Sequence, residues 1–276
     1  KQENIEERIN TVNSVKEIFE SFKQSEEIAL RYAFALGYLS DEQQNVEELL
    51  NTINSVKEIF ERFKQSEDIA SLYSMVLVNL SAKQVNVEEL LNTINSVKEI
   101  FELFRHSEDI ALQYAKALVY LSGKQKSVEE RINTANSVKE IFESFKQSEE
   151  IALRYAFALG YLSDEQQNVE ELLNTINSVK EIFERFKQSE DIASLYSMVL
   201  VNLSAKQENI EELLNTINSV KEIFESFKQS ETIALQYAKA LVNLSAKQEN
   251  IEERINTVNS VKEIFESFKQ SEEIAL

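Results

Sequence analysis

The chain has 276 residues, of which 48 are Asp or Glu and 29 are Lys or Arg, so its formal net charge at pH 7 is −19. Because phosphate neutralisation dominates nucleic-acid binding, this acidic balance argues against a nucleic-acid partner. The absence of Pro and Cys and the presence of only three Gly disfavour disulfides, tight hairpin turns and glycine-rich nucleotide-binding loops. No apolar run reaches membrane-spanning length, so we expect no membrane partner and a cytoplasmic location.

The sequence repeats every 41 residues. The string Ser-Val-Lys-Glu-Ile-Phe begins at Ser14, Ser55, Ser96, Ser137, Ser178, Ser219 and Ser260. A longer period of three units is superimposed, because residues 124–246 match residues 1–123 at 111 of 123 positions. Residues 247–276 then repeat the first thirty without change. We therefore expect residues 1–276 to form one continuous array of seven units, the last of them incomplete.

Each unit predicts two helices. In the second unit, apolar residues recur at spacings of three and four over 45–65 and again over 66–84, which is typical of helices that bury one face. The spacing predicts antiparallel helices of roughly 20 and 17 residues. The second helix is apolar over more of its circumference, so we expect neighbours on more than one side. Asn45 and Ser66 are typical N-caps, and the acidic pairs that follow them lie at the positive helix ends.

Two helices per unit, stacked along the chain, predict an all-α fold: a right-handed α-solenoid of antiparallel helix pairs. Residues 32–39, Tyr-Ala-Phe-Ala-Leu-Gly-Tyr-Leu, resemble the first helix of a tetratricopeptide repeat, and residues 47–63 resemble its second helix. The resemblance implies a superhelix whose concave face is lined by the family's first helices and holds peptide ligands. The unit here is longer than the family's 34 residues and lacks its Pro, so armadillo and HEAT repeats, at roughly 40–47 residues, remain the alternative.

The residues that differ most between units lie on one stripe of the second helix, because their offsets of three and four place them on one helical face. The tetratricopeptide resemblance implies a ligand groove on the same face. The predicted groove consists of Arg31, Phe34, Tyr38, Leu72, Met75, Asn79, Gln113, Lys116, Tyr120, Arg154, Phe157, Tyr161, Leu195, Met198, Asn202, Gln236, Lys239 and Asn243. The competing interpretation is neutral drift combined with local packing, since a Phe or Met on a helix is often core.

These patterns predict a protein- or peptide-binding scaffold without catalysis. His106 is the only histidine and has none of the partners that a general base or a metal site requires. We therefore expect no catalytic residues, no metal and no cofactor. The net charge favours a basic or amphipathic partner, mainly through electrostatic steering. That inference is weakened because more than half of the acidic residues stand in the pairs that open helices.

Two alternative functions remain open. The first thirty and last thirty residues are identical, whereas solenoids usually carry atypical polar units at their ends. The array would then stack end to end with other copies, as a self-assembling structural element. The other alternative is the sensor fragment of a larger signalling protein.

The columns that begin at Asn10 and Asn13 keep Asn in all seven units. This constancy predicts side-chain ladders between stacked helices or plain exposure, or, in an armadillo-like array, contact with a peptide backbone.

Overall fold

In the computed structural model of the chain, residues 2–268 are described, and they form thirteen α-helices and no β-strand. The helices are α1 Gln2–Ser21, α2 Glu26–Glu42, α3 Val46–Arg62, α4 Glu67–Lys83, α5 Val87–Leu103, α6 Glu108–Lys124, α7 Val128–Ser144, α8 Glu149–Glu165, α9 Val169–Arg185, α10 Glu190–Lys206, α11 Ile210–Ser226, α12 Glu231–Lys247 and α13 Ile251–Ser267. The prediction of an all-α helical solenoid with two helices per unit is confirmed. The hand of its superhelix stays a prediction.

The first helix of a unit is shorter than the sequence predicted. In the second unit α3 has 17 residues and ends at Arg62, about one turn before the end of the apolar pattern. Phe63 leaves the helical backbone conformation, with φ −118° and ψ 50°, while its amide still donates to the carbonyls of Ile59 and Phe60. The amide of Ser66 then donates to the carbonyl of Phe63 at 2.9 Å. Phe63 therefore belongs to a tight turn, and the periodic pattern overestimated the helix.

Side-chain caps begin most of these helices. The Oδ1 atom of Asn45 accepts hydrogen bonds from the amides of Glu47 and Glu48 at 2.8 and 3.4 Å. The same arrangement recurs at Asn86, Asn168, Asn209 and Asn250. In the even-numbered helices a serine takes this role, as at Ser25, although Ser66 makes no such bond. In this chain, which has no Pro, Asn and Ser caps therefore mark where each new helix begins.

The helices pack in two rows within each of two compact units, which are larger than the 41-residue repeat units. The first compact unit comprises the chain up to Gln125 together with Asn136–Arg154, and the second comprises Lys126–Ala135 together with the chain from Tyr155 onward. We call α2, α4 and α6 of the first unit, and α10 and α12 of the second, the even row. Its members pack against one another and against the odd-numbered helices beside them, as expected for a helix that is apolar on several sides.

The odd row consists of α1, α3 and α5 in the first unit and α9, α11 and α13 in the second. Within the described part of each unit, no two members of the odd row pack closely against each other. The core therefore lies between the rows and along the even row, where Ile69 and Val76 of α4 are fully buried, as are Leu49 and Val56 of α3. Burial of each such side chain contributes about 1.5–3 kcal/mol.

Candidate functional site on the even row

The predicted groove residues differ in how far they reach the surface. Exposed members are Arg31, Phe34, Tyr38, Tyr120 and Lys239. Partly buried members are Met75, Asn79, Gln113, Lys116, Arg154, Phe157, Tyr161, Met198, Asn202, Gln236 and Asn243. Buried members are Leu72 and Leu195. Sixteen of the eighteen side chains therefore reach the surface at least in part.

One pocket of about 320 Å³ opens on the even row of the first unit. Six of the predicted residues line it: Met75, Asn79, Gln113, Lys116, Tyr120 and Arg154. They come from three successive even-numbered helices, so residues far apart in sequence meet at one place. Asp41, Val78 and Val119 complete the lining. These three residues are not part of the predicted groove.

The residues that line the pocket carry two positive charges and one negative charge, although the chain is strongly acidic. Lys116 and Arg154 line it against the single carboxylate of Asp41. Burial lowers the pKa of Lys116, and the nearby Arg154 charge lowers it further, while Glu150 and Asp109 act in the opposite direction. A lysine whose pKa is depressed in this way gains from a negative partner. A ligand carboxylate would therefore stabilise the charge of Lys116, in the same direction as Glu150 and Asp109.

Part of the predicted groove joins the even-numbered helices to one another. The Nδ2 atom of Asn79 donates hydrogen bonds to Ser40 Oγ at 2.8 Å and to Asp41 Oδ1 at 2.6 Å. Asn202 repeats this arrangement in the second unit, with Nδ2 donating at 2.8 and 2.7 Å to the residues equivalent to those two. The amide donors of these asparagines are therefore engaged within the array, which sequence variation alone did not reveal.

The two leucines of the predicted groove are corrected by the structure. Leu72 and Leu195 are only 6% and 7% exposed, because Leu72 lies against Gly37 of α2 and Leu195 lies against Gly160 of α8. A Cβ placed on Gly37 would lie 3.6 Å from Leu72 Cδ2 and 2.7 Å from Met75 Cε. The missing side chain of Gly37 thus lets α4 pack closely on α2, and Gly160 has the same role against Met198. Leu72 and Leu195 are therefore core residues.

The invariant asparagine columns are exposed. Asn51 and Asn54 both lie at the surface of α3, and no other helix of the odd row packs closely against α3 in the first unit. Side-chain ladders, one half of the expectation for these columns, stay a prediction. Plain exposure, the other half of that expectation, describes these residues.

The described residues include no group of three or more His, Cys, Asp or Glu side chains that could hold a metal ion. His106 Nε2 lies 3.2 Å from Glu67 Oε2 at an exposed position, as in an ordinary surface pair. Among helices α1 to α13, none is both long enough and apolar enough to cross a membrane.

Comparison of the chain with protein-family models, curated proteins and solved structures gives no match. The class that the fold defines is a repeated helical array of regularly spaced helices.

Proposed function

We propose that the chain is a tetratricopeptide-like, non-catalytic binding scaffold that holds a peptide segment on its even row. The observation that carries the proposal is the pocket lined by Met75, Asn79, Gln113, Lys116, Tyr120 and Arg154. These positions vary between units while most surrounding columns stay constant. Variation confined to a pocket on a rigid scaffold is a common basis of ligand specificity.

The packing of the rows supports this choice of face. Helices of the even row lie directly against one another in each unit, whereas those of the odd row do not. The even-numbered helices include the segment that resembles the first helix of a tetratricopeptide repeat, and in that family the first helices hold the peptide.

The proposed ligand is an amphipathic segment. Met75 and Tyr120 offer an adaptable thioether and an aromatic ring to an apolar side chain. Lys116 offers a cation to a carboxylate on the same segment. The net charge of −19 attracts basic groups at long range. A segment that carries both charges and an apolar side chain satisfies all three features.

A peptide-display library selected on the purified chain tests this proposal. Peptides that bind should lose at least tenfold in affinity, about 1.4 kcal/mol, when Lys116→Ala and Tyr120→Ala are combined. Lys57→Ala on α3 is the matched control, since it removes an exposed lysine from the odd row and should leave binding unchanged. Selected peptides that bind the double variant as tightly as the parent would show that this face is not the site.

A second candidate function is self-association, favoured by apolar surface on the first and last described helices. Ile18 of α1 is 51% exposed, whereas its equivalent Ile59 is 1% exposed. Val258 of α13 is 53% exposed, whereas its equivalent Ile53 is 5% exposed. Sedimentation of this chain over a concentration series should show association that Ile18→Glu abolishes. A parent chain that stays monomeric at the highest concentration would eliminate this candidate.

A further inference from the structure

A separate set of pockets opens between neighbouring odd-numbered helices. Helices α9 and α11 flank a pocket of about 450 Å³, and α5 and residues 137–144 of α7 flank one of about 310 Å³. Equivalent residues two units apart line both pockets. These pairs are Phe101 and Phe183, Tyr114 and Tyr196, Glu102 and Glu184, Glu140 and Glu222, and Ser144 and Ser226. The volumes fall in the range of about 300–1,000 Å³ that is typical of small-molecule sites.

The groove between α1 and α3 shows what such a pocket accommodates. There the guanidinium carbon of Arg62 lies 5.6 Å from the centroid of the Phe19 ring. The Nη1 atom of the same residue donates to the carbonyl oxygen of Lys23 at 3.1 Å. Phe19 and Lys23 are the repeat equivalents of Phe183 and Lys187, which line the pocket between α9 and α11. An arginine side chain of the chain itself therefore occupies this groove.

One repeat position distinguishes the occupied groove from the open ones. The residues equivalent to Arg62 are Ser144 in the pocket between α5 and α7 and Ser226 in the pocket between α9 and α11. A serine side chain is too short to cover the facing aromatic ring. The walls persist in these two grooves while the guanidinium that covers the ring in the first groove is missing.

We propose that the pockets beside Ser144 and Ser226 each bind an arginine side chain from a partner protein, at the position that Arg62 fills within the chain. This site lies on the odd row and is independent of the pocket proposed above for the even row.

The chemistry of the pocket walls suits a guanidinium group. Phe183 and Tyr196 form a ring pair with centroids 5.4 Å apart, and arginine stacks on aromatic faces. Glu184 and Glu222 line the same pocket. Both carboxylates lie close enough to Tyr196 to add to the effect of burial, which raises the pKa of that phenol to about 12. Aromatic rings with carboxylates beside them bind arginine through stacking and charge-assisted hydrogen bonds.

The cations that line the two pockets have carboxylates beside them. Lys187 Nζ lies 2.6 Å from Glu184 Oε2, and Lys180, which also lines that pocket, lies near the same carboxylate. In the pocket beside Ser144 the position of Lys187 is held by Arg105, whose guanidinium is paired with Glu102. The equivalent ion pair between Lys23 and Glu20 is present in the first groove, where Arg62 nevertheless lies over the ring. The occupied groove therefore contains the same cation that lines the open one.

The test is a titration of the full chain, labelled at its Phe and Tyr rings, with the peptide acetyl-Gly-Arg-Gly-amide followed by NMR. We expect saturable shifts with a Kd on the order of millimolar for a single cation–aromatic contact assisted by carboxylates. The citrulline version keeps the shape of the side chain and loses its charge, so it should bind at least tenfold more weakly. Equal binding of both peptides overturns the proposal.

Variants at the repeat position of Arg62 distinguish binding in the pockets from nonspecific attraction of a cationic peptide to an acidic protein. Ser144→Arg combined with Ser226→Arg should fill both pockets and abolish the shifts of the rings that line them, Phe101, Tyr114, Phe183 and Tyr196. The groove beside Ser267 of α13, where serine also takes the position of Arg62, is unchanged in this variant. Arg62→Ser should add one binding site. Ser21→Arg introduces the same type of charge on α1, which has no odd-numbered helix before it in the described chain, and should leave the shifts unchanged. A filled double variant in which these four rings still shift as they do in the Ser21→Arg control also overturns the proposal.

Discussion

Asn79→Ala tests whether hydrogen bonds through the candidate site hold the even row together. Asn79 donates to Ser40 Oγ at 2.8 Å and to Asp41 Oδ1 at 2.6 Å. A neutral hydrogen bond contributes about 1 kcal/mol, and one to a charged group roughly 1.5–3 kcal/mol. Asp41 is exposed, so water replaces the lost donor at its carboxylate. We therefore expect Asn79→Ala to lower the free energy of unfolding by about 1–2 kcal/mol.

Asn243 in the sixth 41-residue repeat is a matched control. Asn243 donates to Ser204 Oγ at 2.8 Å, but Ala205 stands where Asp41 stands in the first unit. Asn243→Ala should therefore cost about 1 kcal/mol or less. Urea denaturation of both variants, with hydrogen exchange of the α4 and α12 amides, measures the two losses. If Asn79→Ala costs no more than Asn243→Ala, the bond to Asp41 does not stabilise the row.

Three further predictions concern the core, the caps and pH. Burial raises the pKa of Tyr73 to about 12, whereas the phenol of an unfolded chain has a pKa near 10. The burial of the neutral phenol therefore stabilises the fold fully below about pH 10, and roughly 2–3 kcal/mol of stability is lost by about pH 12. Denaturation across that range should show a smaller loss for Tyr73→Phe. Leu72→Ala should cost about 2–5 kcal/mol in urea denaturation, whereas Phe34→Ala should cost far less because Phe34 is 44% exposed; equal costs would contradict the placement of these two side chains. Asn45→Ala should lower stability by about 1 kcal/mol through loss of the α3 cap, and undiminished protection of the first α3 amides in hydrogen exchange would contradict it.

The regular features of the fold were predictable because each depends on local chemistry that recurs every 41 residues. The spacing of Leu49, Ile53 and Val56 places one buried face on α3, and Asn45 begins that helix through bonds to its own neighbours. The end of the helix at Arg62 was not predictable from periodicity. An apolar residue at position 63 fits equally well on a helical face and in the turn that it forms.

The candidate site was predictable as a stripe but not residue by residue. An offset of four placed Met75 and Asn79 on one face of α4, and both line one pocket. Whether a varied residue reaches solvent depends on the neighbouring helix, which a single repeat does not contain. Leu72 is buried for that reason, in the close packing that the absent side chain of Gly37 permits.

The pockets of the odd row were missed although the sequence contains their signal. The position of Arg62 is serine, leucine or arginine in different units, which is as radical a change as any on the even row. The effect of this change on the groove depends on the ring of Phe19, which lies 43 positions earlier in the sequence. Phe19 contacts Arg62 only because two odd-numbered helices lie side by side in the fold.

The central claim, that ligands bind on the even row, has a direct test in the methionine methyl groups. The chain has two methionines, Met75 and Met198, and both belong to the varied stripe. NMR spectra of chain labelled at the methionine methyls should show two signals, assigned with Met75→Leu. A peptide selected on the parent chain should shift the Met75 signal in proportion to occupancy, because Met75 lines the candidate pocket. If a peptide saturates the chain while both methyl signals stay unchanged, the even row is not the binding face.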